Sequence, residues 1–477
     1  MRSAITRRHH AVAIAVAAAA LLAACGGDDG GTSATTAGGA ETTASTAAPA
    51  TTAGGGATTA APATTAAAPA TTVKPASTGW KADVADCPKD ATTPWAGDTI
   101  KIGVTLPLSG PFAIYAPLGT GIEAAFAEAN AAGGIGGKKL ELVKKDDAYD
   151  PGKTPAAVKE LLEGDKVFFL AGMLGTPNVQ AVREDLNDEC VPQLWAATGS
   201  SLWGDAENFP WTTGALVPYS AETAAYMKYF AGVKPGGTVS LLVINNEYGK
   251  EFANGIKEGA AANGLKVTTT ETVEATDTEV ATQMTNLANG KADAVAIAVG
   301  PTQCTKAMQA VAESGWKPQV FLTQNCANSA LFFNPAGSAA EGVITSQNLK
   351  VLGRPDAEAD AGVQAFKAAL TAADPKASPL GIAPTGYQVG QLTVATLQAA
   401  AASPGGLTRE SVINAARNLK GVTTNLLRTG MTMNTGDGDY FAPEATQLLK
   451  YDSAAKVLQD FEAPIDFEGK TKVVSNT

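Results

Sequence analysis

The chain has 477 residues, 45% of them apolar, with 50 glycines, 26 prolines and a formal charge of −11. That excess of acid disfavours nucleic acid as a partner, and the acids are scattered as on a solvated surface rather than gathered in a run. The two histidines are His9 and His10. From position 11 onward no Ser-His-Asp site, Cys-His site or imidazole metal site can therefore be built. No cofactor or metal motif occurs, and none is expected to be needed.

The start combines Arg2, Arg7 and Arg8 with an apolar run from Ala11 to Ala24. That run is shorter than the roughly 20 residues a membrane-spanning helix needs. A basic start, a short apolar core and small residues before a cut site predict a signal peptide over residues 1–24. Leu22-Ala23-Ala24-Cys25 resembles the lipobox of bacterial lipoproteins. The resemblance implies cleavage before Cys25, lipidation of its thiol and anchoring on the outer face of the bacterial cell membrane. Cleavage would leave 32 basic against 46 acidic side chains. Residues 25–79 are mostly Ala, Thr, Gly and Pro, with almost no large apolar side chain. They cannot offset their chain entropy and are expected to form a disordered tether. As a flexible coil it would reach roughly 40 Å.

The remaining ~395 residues are too many for one ordinary core and fit two lobes. Ile100, Ile102, Val104 and Leu106 alternate as in a strand, and Ile122, Phe126 and Ala129 recur at helical spacing until Gly133-Gly134. Leu140–Val143 begins a second strand. A helix between two strands is a right-handed crossover, the first unit of a parallel sheet. The pattern repeats with a helix to about Glu163, a strand Val167–Ala171, a helix to Asp188 and a strand Val191–Trp195. Polar or Gly-rich loops around Tyr115, Thr176 and Thr198 follow the carboxyl ends of these strands, where open α/β sheets place ligands.

A second set begins near Val217. Helices are predicted over Tyr219–Phe230, around Phe252–Ala260, over Glu279–Leu287 and from Gly300 through Val311. Strands are predicted at Val239–Ile244, Lys266–Val273, Ala294–Val299 and Gln319–Leu322. Gly342–Gln347 then reads as a strand, and Asp356–Ala373, Tyr387–Ala401 and Thr408–Leu419 as helices. These have too few strands for a third sheet and must pack on the lobes already built, so the chain crosses between lobes several times. Gly119-Thr120-Gly121-Ile122-Glu123-Ala124 matches a dinucleotide-binding pattern, but it stands about a dozen residues past its strand and is discounted.

Four cysteines follow Cys25, namely Cys87, Cys190, Cys304 and Cys326. In an exported chain an even number predicts two disulfides, and three pairings are possible. Cys304 and Cys326 stand at the ends of successive strands and are expected to pair, leaving Cys87–Cys190 by elimination. Buried free thiols are the alternative.

LPLSGPFAIYAPLGTGIEAAFAEANAAGGIGGKKLELVKKDDAYDP resembles the opening of the branched-chain amino-acid (leucine-binding) substrate-binding proteins of ABC transporters. The likeness extends through NNEYGKEFANGIKEG and ESGWKPQVFLTQN to Tyr387-Gln388-Val389. It implies the type I periplasmic binding fold, two doubly wound α/β lobes joined by three crossovers and closing on a ligand. The lobes would be residues 97–216 plus 348–436 and 217–347 plus 437–465. Position by position it implies ligand contacts at Tyr115, Leu174, Gly175, Thr176, Ala197, Thr198, Gly199 and Tyr248. Gly300, Thr302, Gln324 and Asn325 complete the implied ligand set and depart from the amino-acid-binding pattern: Gln324 with Asn325 stands where those members place a carboxylate for the ligand's ammonium, and Gly300-Pro301-Thr302 where they place a second-lobe tyrosine. A neutral amide cannot balance a buried ammonium, so an uncharged or anionic ligand is expected. The function implied is capture of a small molecule by a monomeric lipoprotein for an ABC permease, without catalysis. A sensor for a membrane receptor and an extracellular hydrolase are the alternatives.

Overall fold

The structure, a computed structural model, describes residues 79–474 except Asp437. The predicted signal peptide, Cys25 and all of the tether but Gly79 lie outside the described residues.

The first sheet begins where period-2 alternation predicts, with β1 (Thr99–Leu106), whose Ile100, Ile102, Val104 and Leu106 are fully buried. Next come α1 (Pro117–Ala131), β2 (Lys139–Asp146), α2 (Thr154–Lys159), β3 (Phe169–Ala171), α3 (Thr176–Asp188), β4 (Gln193–Ala196) and β5 (Thr212–Gly214). The strands form one parallel sheet in the order β2-β1-β3-β4-β5. Proline at the first turn starts α1 and α3, and glycines with positive φ at 133 and 134 end α1.

The chain then crosses to the second lobe. There it lays down α4 (Tyr219–Val233), β6 (Thr238–Ile244), α5 (Glu247–Ala262), β7 (Lys266–Val273), α6 (Ala281–Gly290), β8 (Ala294–Ala298), α7 (Pro301–Glu313) and β9 (Gln319–Leu322). A helical turn, α8 (Asn334–Ala336), leads to β10 (Ile344–Gln347). A second crossing returns the chain to lobe 1 for α9 (Pro355–Glu358), α10 (Ala361–Ala373), α11 (Ala383–Ala401) and α12 (Arg409–Ala416). Asp360 splits the single helix expected over Asp356–Ala373, because its carboxylate caps Gly362 and Val363 and starts α10. A third crossing brings β11 (Ala445–Asp452), β12 (Val457–Asp460) and β13 (Ile465–Asp466) back to lobe 2.

The second sheet runs β12-β11-β10-β9-β8-β6-β7. Its core from β7 to β10 is parallel, and β11 and β12 extend it antiparallel, with β13 paired to β11. Strands β5 and β11 to β13 escape sequence reading for different reasons. β5 is only three residues long, and the later strands lack the glycine-bounded apolar runs that mark the parallel core.

Two glycine contacts seat α11 at the cleft. A Cβ on Gly121 would lie 2.0 Å from the Ala383 carbonyl oxygen, and one on Gly386 would lie 1.9 Å from the Leu118 oxygen. The backbones of α1 and α11 therefore touch directly, which fixes the start of α11 beside the first loop. Residues 79–97 form a strap on lobe 1. It is held by the Cys87–Cys190 disulfide, by Ala82 N–H donating to Asn414 Oδ1 at 2.8 Å and by an Arg409–Asp90 ion pair at 2.8 Å. The second disulfide joins Cys304 to Cys326 inside lobe 2. Both are the expected pairs.

Candidate functional site

A cavity of about 350 Å³ opens between the lobes, at the carboxyl ends of both sets of parallel strands. Its inner chamber is aromatic. Phe112 stacks on Tyr149 with ring centroids 3.8 Å apart, and Tyr219 tilts against Tyr248 at 5.0 Å. Tyr115, on the loop before α1, donates its hydroxyl to the Asn325 carbonyl across the cleft at 3.1 Å. Burial raises the pKa of all four tyrosines, that of Tyr219 to about 12, so each stays a neutral donor.

On lobe 1, Gly175 precedes α3 with φ of 99°, and a Cβ there would lie 2.6 Å from the Tyr149 ring. The glycine lets the chain turn into α3 while the ring closes over it. Thr176 and Thr198 join hydroxyl to hydroxyl at 2.5 Å, and Thr198 continues to Tyr219 at 3.2 Å. Asn325 Nδ2 also donates to the Tyr219 hydroxyl, at 2.9 Å. A polar chain thus runs from one lobe to the other at the floor of the chamber.

On lobe 2, Gln324 is held from behind. Its Nε2 donates to the Val217 carbonyl at 2.7 Å and to Glu222 Oε2 at 3.0 Å, and its backbone N–H donates to Glu222 Oε1 at 2.6 Å. Glu222 is fully buried on α4 and also accepts from the Tyr226 hydroxyl at 2.9 Å. Burial lifts its pKa to about 7 against the hydrogen bonds from Gln324, Tyr226 and Thr323 that favour its charge. A carboxylate does stand near the position of Gln324, but it lies behind the amide and off the cavity wall. No Asp or Glu lines the cavity among the described residues.

Two buried polar atoms on the wall lack a protein partner. The Tyr248 hydroxyl makes no well-formed hydrogen bond, with Thr323 the polar side chain beside it, and Asn348 Nδ2 has none. Such atoms cost free energy unless a ligand or water meets them.

Of the residues singled out from sequence, Tyr115, Leu174, Gly175, Thr176, Ala197 and Thr198 line the cavity from lobe 1, and Tyr248, Gln324 and Asn325 from lobe 2. The structure does not bring Gly199, Gly300 or Thr302 to its wall. Gly199 packs under the Tyr219 ring and accepts from the Tyr219 N–H at 2.6 Å. Gly300 caps α7, where its N–H donates to Gln303 Oε1 and Phe112 covers it, while Thr302 faces solvent one residue into that helix. Sequence reading missed Phe112, Tyr149 and Tyr219. Tyr149 stands in the quoted AYDP turn, and an aromatic beside a strand end was the available signal. Asn348 carried no local signal, because the second crossing alone brings it to the cavity.

The sequence matches the family model described as periplasmic binding protein over residues 99–448. A Leu/Ile/Val/Thr-binding protein of Salmonella typhimurium is 29% identical over 252 residues, which are 52% of this chain and 68% of that protein. A fatty acid ABC transporter substrate-binding protein from Thermomonospora curvata superposes with a TM-score of 0.69 at 23% identity. That match covers 80% of this chain and 96% of the other. A branched chain amino acid ABC transporter from Thermus thermophilus with bound valine gives 0.69 at 16% identity, over 77% and 96%. At such identities the two structures establish likeness of fold.

Proposed function

The chain belongs to the periplasmic binding protein family, and on that premise we propose that it is an extracytoplasmic solute-binding protein serving an ABC permease. It captures a small organic molecule between its lobes and presents the closed form to the permease. Rotation about the crossings changes the surface a membrane partner meets, so binding needs no covalent step. We extend the reading to a lipid anchor at Cys25 and a monomeric working state. A fatty-acid label that persists in Cys25→Ala would remove the anchor.

The ligand is uncharged or anionic. One observation carries this: no Asp or Glu among the described residues lines the cavity, its charged lining residues are Lys350 and Lys456, and Glu222 behind Gln324 is spent on Gln324 and Tyr226. A ligand ammonium would enter with no counter-charge, at a cost of several kcal/mol. An acceptor group would meet the Tyr248 hydroxyl and the N–H groups at the start of α3. The amino-acid-binding relative thus supplies the fold and mode of capture but not the ligand.

The test is a thermal-shift screen on purified chain, unfolded to strip ligand and refolded. The set is leucine, valine, aromatic carboxylates, short alkanoates, amides and polyols. A ligand at 100 times its Kd adds about 2.7 kcal/mol, a shift of a few degrees. A hit among acids, amides or polyols with none for leucine is expected. Tight leucine binding would overturn the ligand class, and a folded chain binding nothing would overturn capture.

A further inference from the structure

The cavity does not end at the aromatic chamber. Beyond Gln324 and Asn325 it passes Gln347 and Asn348, four amide side chains at the ends of β9 and β10, and continues as an outer arm. One wall of this arm is the segment after β9, with Ala327 and Ala330. The opposite wall is the second crossing, with Leu349, Val351 and Leu352, and the loop entering α11, with Leu380 and Ile382. The arm reaches the surface at the β11–β12 turn, where Val457 lies inside and Lys456 outside. Asn328 holds the two walls together by donating to the carbonyls of Leu380 at 3.0 Å and Gly381 at 2.9 Å. The arm is therefore roofed, and the contact lies between residues of different lobes.

The two compartments differ in chemistry. The chamber presents rings and hydroxyls, the amide collar presents the unpartnered Asn348 Nδ2, and the arm presents Leu349, Val351, Leu352 and Ile382 together with the polar Ser329 and with Lys350, whose ammonium is paired to Asp360 at 2.7 Å. Leu380 stays 40% exposed at the arm's edge, an apolar side chain left to water. Lys456 is exposed at the mouth with no carboxylate partner among the described residues. A ligand confined to the chamber would leave the arm to water against leucines, isoleucine and valines, which is unfavourable. The whole space, about 350 Å³, lies at the lower end of the 300–1,000 Å³ typical of small-molecule pockets.

Resting on the capture reading above, we propose that the outer arm is an acyl- or alkyl-chain subsite. The ligand is then an elongated amphiphile with a hydrogen-bond acceptor at its head. The head sits between chamber and collar, where Tyr248 and Asn348 supply donors. The chain lies along Val351, Leu352 and Ile382, and its far end points toward the mouth beside Lys456. Closing the lobes completes the roof through Asn328, so chain and head are sealed in one movement.

The experiment is calorimetric titration of the whole chain with straight alkanoates from butanoate to dodecanoate and with the matching primary amides. Each methylene buried in the arm tightens binding roughly fourfold, the equivalent of about 0.8 kcal/mol, until the arm is full. Ala330→Phe, which narrows the arm, is expected to weaken dodecanoate at least tenfold more than butanoate. Intact melting of that variant checks its fold, and the wild-type series stands without it. Short members that bind while longer ones gain nothing would overturn the chain subsite and leave capture standing. Equal weakening of both lengths by Ala330→Phe would overturn the placement of the chain. Failure of every member together with every compound of the broader screen would bring down the capture reading itself.

Discussion

The two walls of the cleft are built on different plans. Lobe 1 meets the cavity with the rings of Phe112, Tyr115 and Tyr149 set over the Gly175 turn, the first N–H groups of α3 and the hydroxyls of Thr176 and Thr198, none of them tied to a buried carboxylate by its side chain. Lobe 2 meets it with the Gln324 amide locked to the buried Glu222 carboxylate, so that Gln324 is as much part of the lobe's interior as of the site. The difference teaches where binding and stability are separable. Changes on lobe 1 act on the ligand, whereas changes on lobe 2 act on the fold first.

The largest effect is expected at Glu222. Glu222→Ala strands the Gln324 N–H and one of the two Gln324 Nε2 hydrogens, while the other keeps the Val217 carbonyl and the Tyr226 hydroxyl keeps the Leu322 carbonyl. Each unmet buried donor costs about 1–3 kcal/mol, so a loss of about 3 kcal/mol or more is expected in urea melts. An unchanged midpoint would break the claim that this wall is structural.

Glu222 also sets a pH dependence. Its pKa rises from 4.5 unfolded to about 7 folded, so protonation favours the native state. The associated stability is fully present below pH 4.5 and is lost as pH rises through 7, an interval corresponding to about 3 kcal/mol at most. Glu444, lifted to about 8 by burial and by Asp439, acts in the same direction. Melting points measured from pH 4.5 to 8.5 should therefore fall. Glu222→Gln should flatten the part of the fall below 7 and leave Glu444's share.

Gln324→Glu tests the same wall from its outer side. The new carboxylate would face Glu222 across the 3.0 Å now spanned by a hydrogen bond, and like charges that close cannot both ionise at small cost. A destabilisation of about 2 kcal/mol is expected, growing above pH 7, with no gain of leucine binding. Tight leucine binding by a variant of unchanged stability would show the two walls to be alike.

Most of this architecture was legible because parallel strands buried on both faces read as apolar runs, as in Val239–Ile244 and Ala294–Val299. The loops holding Tyr115, Thr176 and Thr198 followed from the position of the strand ends. Spacing does not reveal partners distant in sequence. Glu222 looked like an ordinary polar residue of a helix, yet it meets Gln324 across 102 positions. Gly300 and Thr302 stood at the right strand end, but capping turned one inward and the other out. The strap at 79–97 had no periodicity to announce it, since its order comes from Cys190, Arg409 and Asn414 on lobe 1.

The smallest effect belongs to lobe 1 and is the cleanest test of separability. Tyr115 reaches across the cleft, and its hydroxyl donates to the Asn325 carbonyl rather than to any group of its own lobe. Tyr115→Phe keeps the ring in the aromatic chamber and removes only this bond. A neutral hydrogen bond is worth about 1 kcal/mol, so the closed form loses about fivefold in population relative to the open one. Apparent affinity for whichever ligand the screen identifies should weaken by that factor, while the melting point of the ligand-free chain stays put. If the melting point falls as it does for Glu222→Ala, Tyr115 belongs with the interior of the fold, and the two walls are one structure rather than two.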